Sequence, residues 1–285
     1  MEERTVRFDQ DLQIEAYQFK GIRQKFPNHF HEFYVLGFIE KGRRSLTCKQ
    51  KNYLVDEGDL LLINPYDSHL CEQLGNDALD YRSIHIRSEV MEGLARDITG
   101  QDGLPVFSHN VVPKYPELDL LKELHELMSQ GGDPLRKAEC LCLFLEGVLC
   151  DFSSYEVDSE STVSRSIDLI CSYIQTYYDQ QLTLDRLGEL AHLNQYTLIR
   201  QFTKLKGITP HQYLTTIRIG EAKKMLEQGV SPLDTAVSTG FSDQSHFTRS
   251  FKNLIGVTPK QYRDSFKKER SNEGTTSKVQ KESRA

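Results

Sequence analysis

A thirty-residue segment occurs twice near the C-terminus, and it constrains the fold of this chain more than any other feature. Residues 184–213 align without gaps on residues 233–262, an offset of 49. Eleven positions are identical: Leu184/Leu233, Asp185/Asp234, Gln195/Gln244, Arg200/Arg249, Phe202/Phe251, Leu205/Leu254, Gly207/Gly256, Thr209/Thr258, Pro210/Pro259, Gln212/Gln261 and Tyr213/Tyr262. Each copy reads as a short helix, a tight turn and a second helix with an outward polar and basic row.

In the first copy Thr183 caps a helix burying Leu184, Leu187, Leu190 and Ala191, and His192-Leu193-Asn194 forms the turn. Asn194 caps the second helix, which buries Leu198, Phe202 and Leu205 and ends at Gly207. Its other face carries Gln195, Tyr196, Ile199, Arg200 and Lys204. Thr209-Pro210 then starts a long helix that holds the copies apart and stops at Gly229. In the second copy Ser231-Pro232 opens the short helix, Gly240 makes the turn and Ser242 caps. Phe247, Phe251 and Leu254 are buried, leaving Gln244, Ser245, His246, Thr248, Arg249 and Lys252 for other contacts.

A helix of this kind in the major groove reaches base edges with its first two turns, and a pair should sit roughly 34 Å apart, one turn of duplex. Arg matches guanine O6 and N7, and Gln matches adenine N6 and N7. Lysines such as Lys204 and Lys252 meet phosphate, and we place Gln195 with them as a phosphate or edge contact. A helical bundle with merely wet polar faces accounts less well for Gln and Arg kept at matching positions in a duplicated unit.

Charge divides the same way. Residues 1–160 hold 17 Lys+Arg against 29 Asp+Glu, a balance of −12, whereas residues 161–285 hold 18 against 12, a balance of +6. Only the back half is suited to a polyanion. No apolar run approaches the roughly 20 residues needed to span a bilayer, and residues 1–4 do not begin a signal segment, so the expectation is a cytoplasmic chain without membrane contact. The six cysteines have neither CxxC nor zinc-finger spacing and read as reduced thiols.

The first 110 residues are strand-like. Residues 33–39 are aromatic and β-branched, the turn Asp56-Glu57-Gly58-Asp59 precedes the apolar run 60–63, and 81–87 alternates. From 116 to 152 the period becomes helical, with Leu118, Leu121, Leu124, His125 and Met128, then Leu141, Leu145, Val148 and Leu149. These helices would cover a barrel or pair with a second copy. Residues 153–164 are polar and serine-rich, as in a linker. The tail after Lys267 has the composition of a disordered segment.

The run Gly240-Phe241-Ser242-Asp243-Gln244-Ser245-His246-Phe247-Thr248-Arg249-Ser250-Phe251-Lys252, continued by Gly256-Val257-Thr258-Pro259-Lys260-Gln261-Tyr262-Arg263, resembles the signature of the AraC/XylS family of bacterial transcription regulators. The resemblance spans about residues 165–264. It implies two helix–turn–helix subdomains joined by a helix and reading adjacent major grooves. Carried over by position, the base-contact candidates are Tyr196 and Arg200, then Gln244, Ser245, His246, Thr248 and Arg249. The glycine common in the family's first turn is absent, with His192 and Leu193 in its place.

The front half is similar, more loosely, to the cupin-type sensor domains of that family, through His29-Phe30-His31, Gly42, Gly58-Asp59 and Asn64-Pro65-Tyr66-Asp67-Ser68-His69. His29 and His31 share a strand face by period two, and a returning strand would bring His69 to them. Such imidazoles hydrogen-bond within the barrel, line an organic-ligand pocket with Tyr34, or hold zinc, iron or manganese. Metal-binding cupins usually add a glutamate where Val35 and Leu36 stand, which weighs against the metal. No cofactor is therefore expected, with a divalent metal at His29, His31 and His69 as the alternative. His85 is a further candidate of the same kind.

The expected class is α+β: a cupin-like β-barrel sensor (1–112), a helical dimerisation or transmission segment (113–152), a linker (153–164), an all-α double helix–turn–helix unit (165–266) and a disordered tail (267–285). The expected function is a sequence-specific DNA-binding transcription regulator, activator or repressor, controlled by a small molecule. Its partners are double-stranded DNA, the effector, a second copy as homodimer, and RNA polymerase if it activates. No nucleophile motif, phosphate loop or HExxH occurs, so no enzymatic activity is expected. A cupin enzyme with an appended DNA-binding unit, and a DNA binder indifferent to sequence, are the competing readings.

Overall fold

The protein is described by a computed structural model that covers residues 2–75, 77–155 and 162–266. The expected disordered tail lies outside the described residues.

Two antiparallel sheets form the front half. The larger has the order β1-β2-β9-β4-β7-β11. Its strands are β1 (Glu3–Asp9), β2 (Ile14–Ile22), β4 (Phe33–Lys41), β7 (Leu60–Ile63), β9 (Leu79–Arg87) and β11 (Val111–Val112). The smaller has the order β3-β8-β5-β6, built from β3 (Phe26–His29), β5 (Arg44–Cys48), β6 (Lys51–Val55) and β8 (His69–Gln73).

Side-chain alternation gives the larger sheet two different faces. Ile14 and Ala16, Tyr34, Leu36 and Phe38, Leu60 and Leu62, and Ile84 and Ile86 point to one core. Three helices close that core: α1 (Ser88–Thr99), α2 (Leu118–Gln130) and α3 (Pro134–Phe152). The helices at 116–152 thus complete the sensor's own core, with Leu118, Leu121, Leu124, Leu141, Leu145, Val148 and Leu149 buried against the strands. Lys137 on α3 anchors them to β1 through a buried contact with Asp9 at 2.6 Å and a second with Asp11 at 2.7 Å. Tyr17, Phe19, Val35, Ile39, Leu61 and Ile63 point the other way, into the space between the sheets.

The serine-rich stretch begins inside this unit. Ser153 and Ser154 form β12, paired with β10 (Val106–Phe107). Helix resumes at α4 (Thr162–Thr176), and the middle of the expected linker 153–164 lies outside the described residues. The duplicated segment follows as α5 (Leu184–Ala191), α6 (Gln195–Lys206), α7 (Pro210–Glu227), α8 (Pro232–Ser238) and α9 (Gln244–Ile255). Residues 259–266 are helical again.

The caps follow from the sequence with one exception. Thr183, Asn194 and Thr209 accept the expected backbone N–H bonds, and Thr209 with Gln212 completes a capping box. At α9 the cap is Asp243, which accepts from His246 N, while Ser242 bonds to Asp243 instead. A carboxylate directly preceding the helix also suits the positive end of the helix dipole. The first turn dispenses with glycine because His192 itself takes the left-handed conformation, φ 56°.

The two copies bury different partners. Phe202 packs with Leu198, Ile208, Tyr213 and α4, whereas Phe251 joins the core that continues into the barrel. Leu205, expected to be buried, is 48% exposed, while its repeat mate Leu254 packs on the barrel core. Leu254→Ala should therefore cost about 2 kcal/mol or more, and Leu205→Ala should stay within about 0.5 kcal/mol. Urea unfolding of the two variants measures the difference.

Candidate ligand cavity and nucleic-acid interface

The strands bring three histidines together. His29 on β3 lies opposite His69 on β8 in the ladder. His31 lies two residues past His29, where its carbonyl accepts from Tyr66 N at 2.7 Å. Nε2 of His29 and Nε2 of His31 are 3.1 Å apart, and the ring centroids of His29 and His69 are 4.4 Å apart. His85 stands beside them on β9, 5.9 Å from His31 between centroids and stacked on Tyr17 at 3.9 Å.

These residues line a cavity of about 110 Å³ between the sheets. Most of its wall is apolar, including Phe19, Phe26, Val35, Ile39 and Leu46, with Arg44, Tyr81 and Ser83 as polar points. Leu254 and Ile255, from the end of α9, form part of the same wall. Burial pushes His29 and His85 down to about 3 and lowers His31 and His69, so all four are neutral imidazoles near pH 7. Tyr34 is not brought to this cavity. Alternation along β4 turns it to the helical core, where its hydroxyl donates to Pro105 O at 2.8 Å.

A buried charged network joins the barrel to the back half. Glu15 on β2 is 5% exposed and is met by Nζ of Lys223 on α7 at 3.1 Å. The Tyr17 hydroxyl donates to Glu15 at 2.7 Å, and that of Tyr262 lies 2.6 Å from Glu15 and 2.9 Å from Glu227. Glu227 in turn binds Arg87, at the end of β9, at 2.6 Å. Burial is the largest influence on the Glu15 carboxyl and pushes it up, but Lys223, His85 and the two hydroxyls together hold it at about 2. Lys223 also sits 4.1 Å from the Phe33 ring centroid, a cation–π contact.

The second helix of each copy, α6 or α9, docks by its C-terminal end. Gly207 and Gly256 end α6 and α9 with φ of 72° and 88°, a conformation that favours glycine. Asn28 Nδ2 donates to Gly207 O at 2.9 Å, and Arg4 Nη1 donates to Gly256 O at 2.5 Å. Tyr213 packs on Phe30 with centroids 4.9 Å apart, while its repeat mate Tyr262 reaches Glu15.

The N-terminal turns of the same helices are open. Gln195, Arg200 and Lys204 on α6 are exposed, as are Gln244, Ser245, His246, Arg249 and Lys252 on α9, with Thr248 half-buried. The side chain of Tyr196 lies outside the described residues. Among the described residues Arg200, Lys204 and Arg249 make no side-chain hydrogen bond or ion pair. Gln195 binds Asp185, and His246 packs edge-on against Phe241 at 5.3 Å.

Sequence reasoning did not single out Glu15, Tyr17 or Lys223. The alternation of Glu15, Tyr17 and Phe19 placed them on one strand face, but only the docked helices reveal their partners. Gly207, Gly256, Tyr213 and Tyr262 had the stronger signal, since identity across the repeat is explained in part by a shared role against the barrel.

Comparison with known proteins agrees with this division. Residues 11–145 match the AraC-like ligand binding domain family, and residues 187–265 match a helix-turn-helix domain family. The chain is 48% identical over 246 residues to the HTH-type transcriptional regulator YbfI of Bacillus subtilis, covering 86% of this chain and 90% of that one. It is 27% identical to the HTH-type transcriptional activator RhaS of Escherichia coli, over 84% of this chain and 87% of the relative. Among solved structures it is similar in fold to apo ToxT from Vibrio cholerae, with a TM-score of 0.58 at 14% identity over 91% of this chain and 99% of ToxT. ToxT with a bound unsaturated fatty acid gives 0.55 at 18% identity, over 92% and 97%.

The Glu15 site yields a stability test. Glu15→Gln leaves Lys223 buried without its counter-charge and should cost about 3–5 kcal/mol at pH 7. Adding Lys223→Met should recover much of that loss. Because the folded Glu15 carboxyl lies near 2 against an ordinary 4.5, its contribution is full above about 4.5 and fades as pH falls toward about 2. Urea midpoints across this range should show the wild-type and Glu15→Gln curves converging at the acid end.

Proposed function

The chain belongs to the AraC family of DNA-binding transcription regulators with a ligand-binding N-terminal domain, and from that premise we propose how it reads DNA and how it is controlled. Tyr196, Arg200, Gln244, Ser245, His246, Thr248 and Arg249 touch base edges, while Gln195, Lys204 and Lys252 meet phosphate or groove edges. The observation that carries this reading is the disposition of the repeat. Both helices are held by their C-terminal glycines, so their polar first turns face outward with Arg200 and Arg249 free of internal partners.

Control comes from the cavity. A ligand against His29, His31, His69 and His85 touches Leu254 and Ile255 of α9 and the Tyr17 ring that leads to Glu15. A signal passes only if the ligand binds two arrangements of sensor and reader with different free energy. ToxT has been solved with an unsaturated fatty acid. Here the cavity of about 110 Å³ is smaller than the ~150 Å³ that accommodates a benzene ring, so a larger effector would have to displace the α9 residues in its wall.

The working form in this reading is a homodimer in the cytoplasm, where its DNA is. Among the described residues no helix is long and apolar enough to cross a membrane. RhaS is named an activator; if this chain activates too, RNA polymerase is its further partner.

Selection of bound fragments from random DNA by the full chain tests base reading. Enrichment of one motif is the expected result, and indifference to sequence would overturn it. Arg249→Ala should lose about 1–3 kcal/mol on the selected site and relax discrimination at one base pair, whereas Lys204→Ala should weaken all sequences alike and lower the salt slope by about 1.

A further inference from the structure

The three histidines are arranged as ligands. One ring nitrogen of each of His29, His31 and His69 lies within 4.8 Å of the other two. A tetrahedral ion with Zn–N bonds of about 2.0–2.1 Å needs nitrogens about 3.4 Å apart. The observed 3.1 Å between His29 and His31 is already near that value. The nitrogen of His69 lies within 4.8 Å of both, so it must move closer to complete the set.

Backbone carbonyls have set the tautomers. Nδ1 of His29 is 2.7 Å from Pro27 O, and Nδ1 of His69 is 2.9 Å from Asp67 O. A carbonyl only accepts, so each Nδ1 carries the hydrogen and each Nε2 is left with its lone pair. This is the support that orients metal-bound imidazoles. A hydrogen bond from His31 can satisfy the lone pair of His29, but among the described residues no donor reaches the second nitrogen of His69. With Nδ1 held by Asp67 O, the other nitrogen of His69 is the one left to ligate.

The charge balance indicates what the ion would bind. Three neutral imidazoles leave a divalent ion with its full charge inside an apolar wall, where an uncompensated charge is costly. Glu32, next to His31 in sequence, does not line the cavity and faces Lys224 at 3.8 Å, and Asp67, two residues before His69, is engaged by Lys49 at 2.8 Å and Asn64 at 3.0 Å. Glu15 is committed to Lys223 and two tyrosines. The cavity itself supplies no anion, so the open fourth position calls for one from outside.

We propose that His29, His31 and His69 form a binding site for a zinc-class divalent ion whose free coordination position faces the barrel cavity and takes a small carboxylate-bearing effector. Imidazole donors suit zinc, copper, iron and nickel over magnesium or calcium. The ion site stands on the barrel geometry alone, and only the effector part rests on the proposed ligand control.

The test uses the full chain, stripped with a chelator and titrated with Zn²⁺ and Co²⁺. One ion per chain is expected, and the Co²⁺ form should show the visible absorption of a four-coordinate nitrogen–oxygen centre. Since loss of an outer hydrogen bond costs ~10–100-fold in affinity, loss of a ligand in His31→Ala or His69→Ala should cost more than about 100-fold. His211→Gln, on the exposed face of α7, should keep the stoichiometry. Acetate, as the probe carboxylate, should shift the Co²⁺ spectrum.

A substoichiometric ion, a thiolate charge-transfer band from one of the six cysteines, or unchanged affinity in His69→Ala would overturn the site. Should the variants fail to fold, the wild-type Co²⁺ spectrum decides by itself. An unmoved spectrum with acetate refutes the effector part. Fragment selection on the same samples reports DNA reading separately, so loss of either result is distinguishable from loss of the other.

Discussion

Period-two alternation in the six-stranded sheet is the constraint on which the rest of this molecule depends. Each central strand must serve two cores at once, and it does so residue by residue. Tyr34, Leu36 and Phe38 belong to the helical core, while Val35 and Ile39 belong to the cavity side. A slip of one residue would turn His85 out of the cavity and bring Ile84 or Ile86 into it. The same register aligns Glu15 of β2 with His85 of β9 and Val35 with His85 across β4, so the polar cluster and the apolar wall are set by one ladder.

The second face of that sheet does not close on itself. Its core runs from Tyr17, Phe19 and Leu61 directly into Ile219, Phe247, Phe251 and Tyr262 of the back half. Sensor and reader therefore share apolar burial, and the shared core surrounds a paired charge, Glu15 with Lys223. Replacing such a pair with apolar groups is often neutral, whereas removing one member is costly. The network thus gives the docked arrangement its register and ties it to residues that line the cavity. Anything that repositions Tyr17 or His85 acts on the group that Lys223 and Tyr262 hold.

Legibility differed between the two halves for physical reasons. Helix–turn–helix units are local: caps, glycine stops and apolar spacing lie within a dozen residues, so the order of α5 to α9 could be read from the chain. Misreadings there were small in scale. Asp243 outcompetes Ser242 as a cap because a carboxylate at the helix N-terminus gains from the dipole. Leu205 is exposed because the barrel covers only the second of the two equivalent positions. In the front half the meeting of His29 with His69 followed from spacing and a returning strand. The placement of Tyr34 did not, since it depends on which face of β4 the helices cover.

What the sequence by itself determined was the duplicated unit, the division of charge between the halves and the family to which they belong, because these reside in local pattern and composition. Tertiary structure alone decided what the identical positions do. Gly207 and Gly256 cap their helices in either copy, yet one receives Asn28 and the other Arg4; Tyr213 meets a phenylalanine ring and Tyr262 a buried carboxylate. The physical reason is that the barrel offers two unlike surfaces to two like units. Contacts between segments some 200 residues apart carry no trace in the spacing of either.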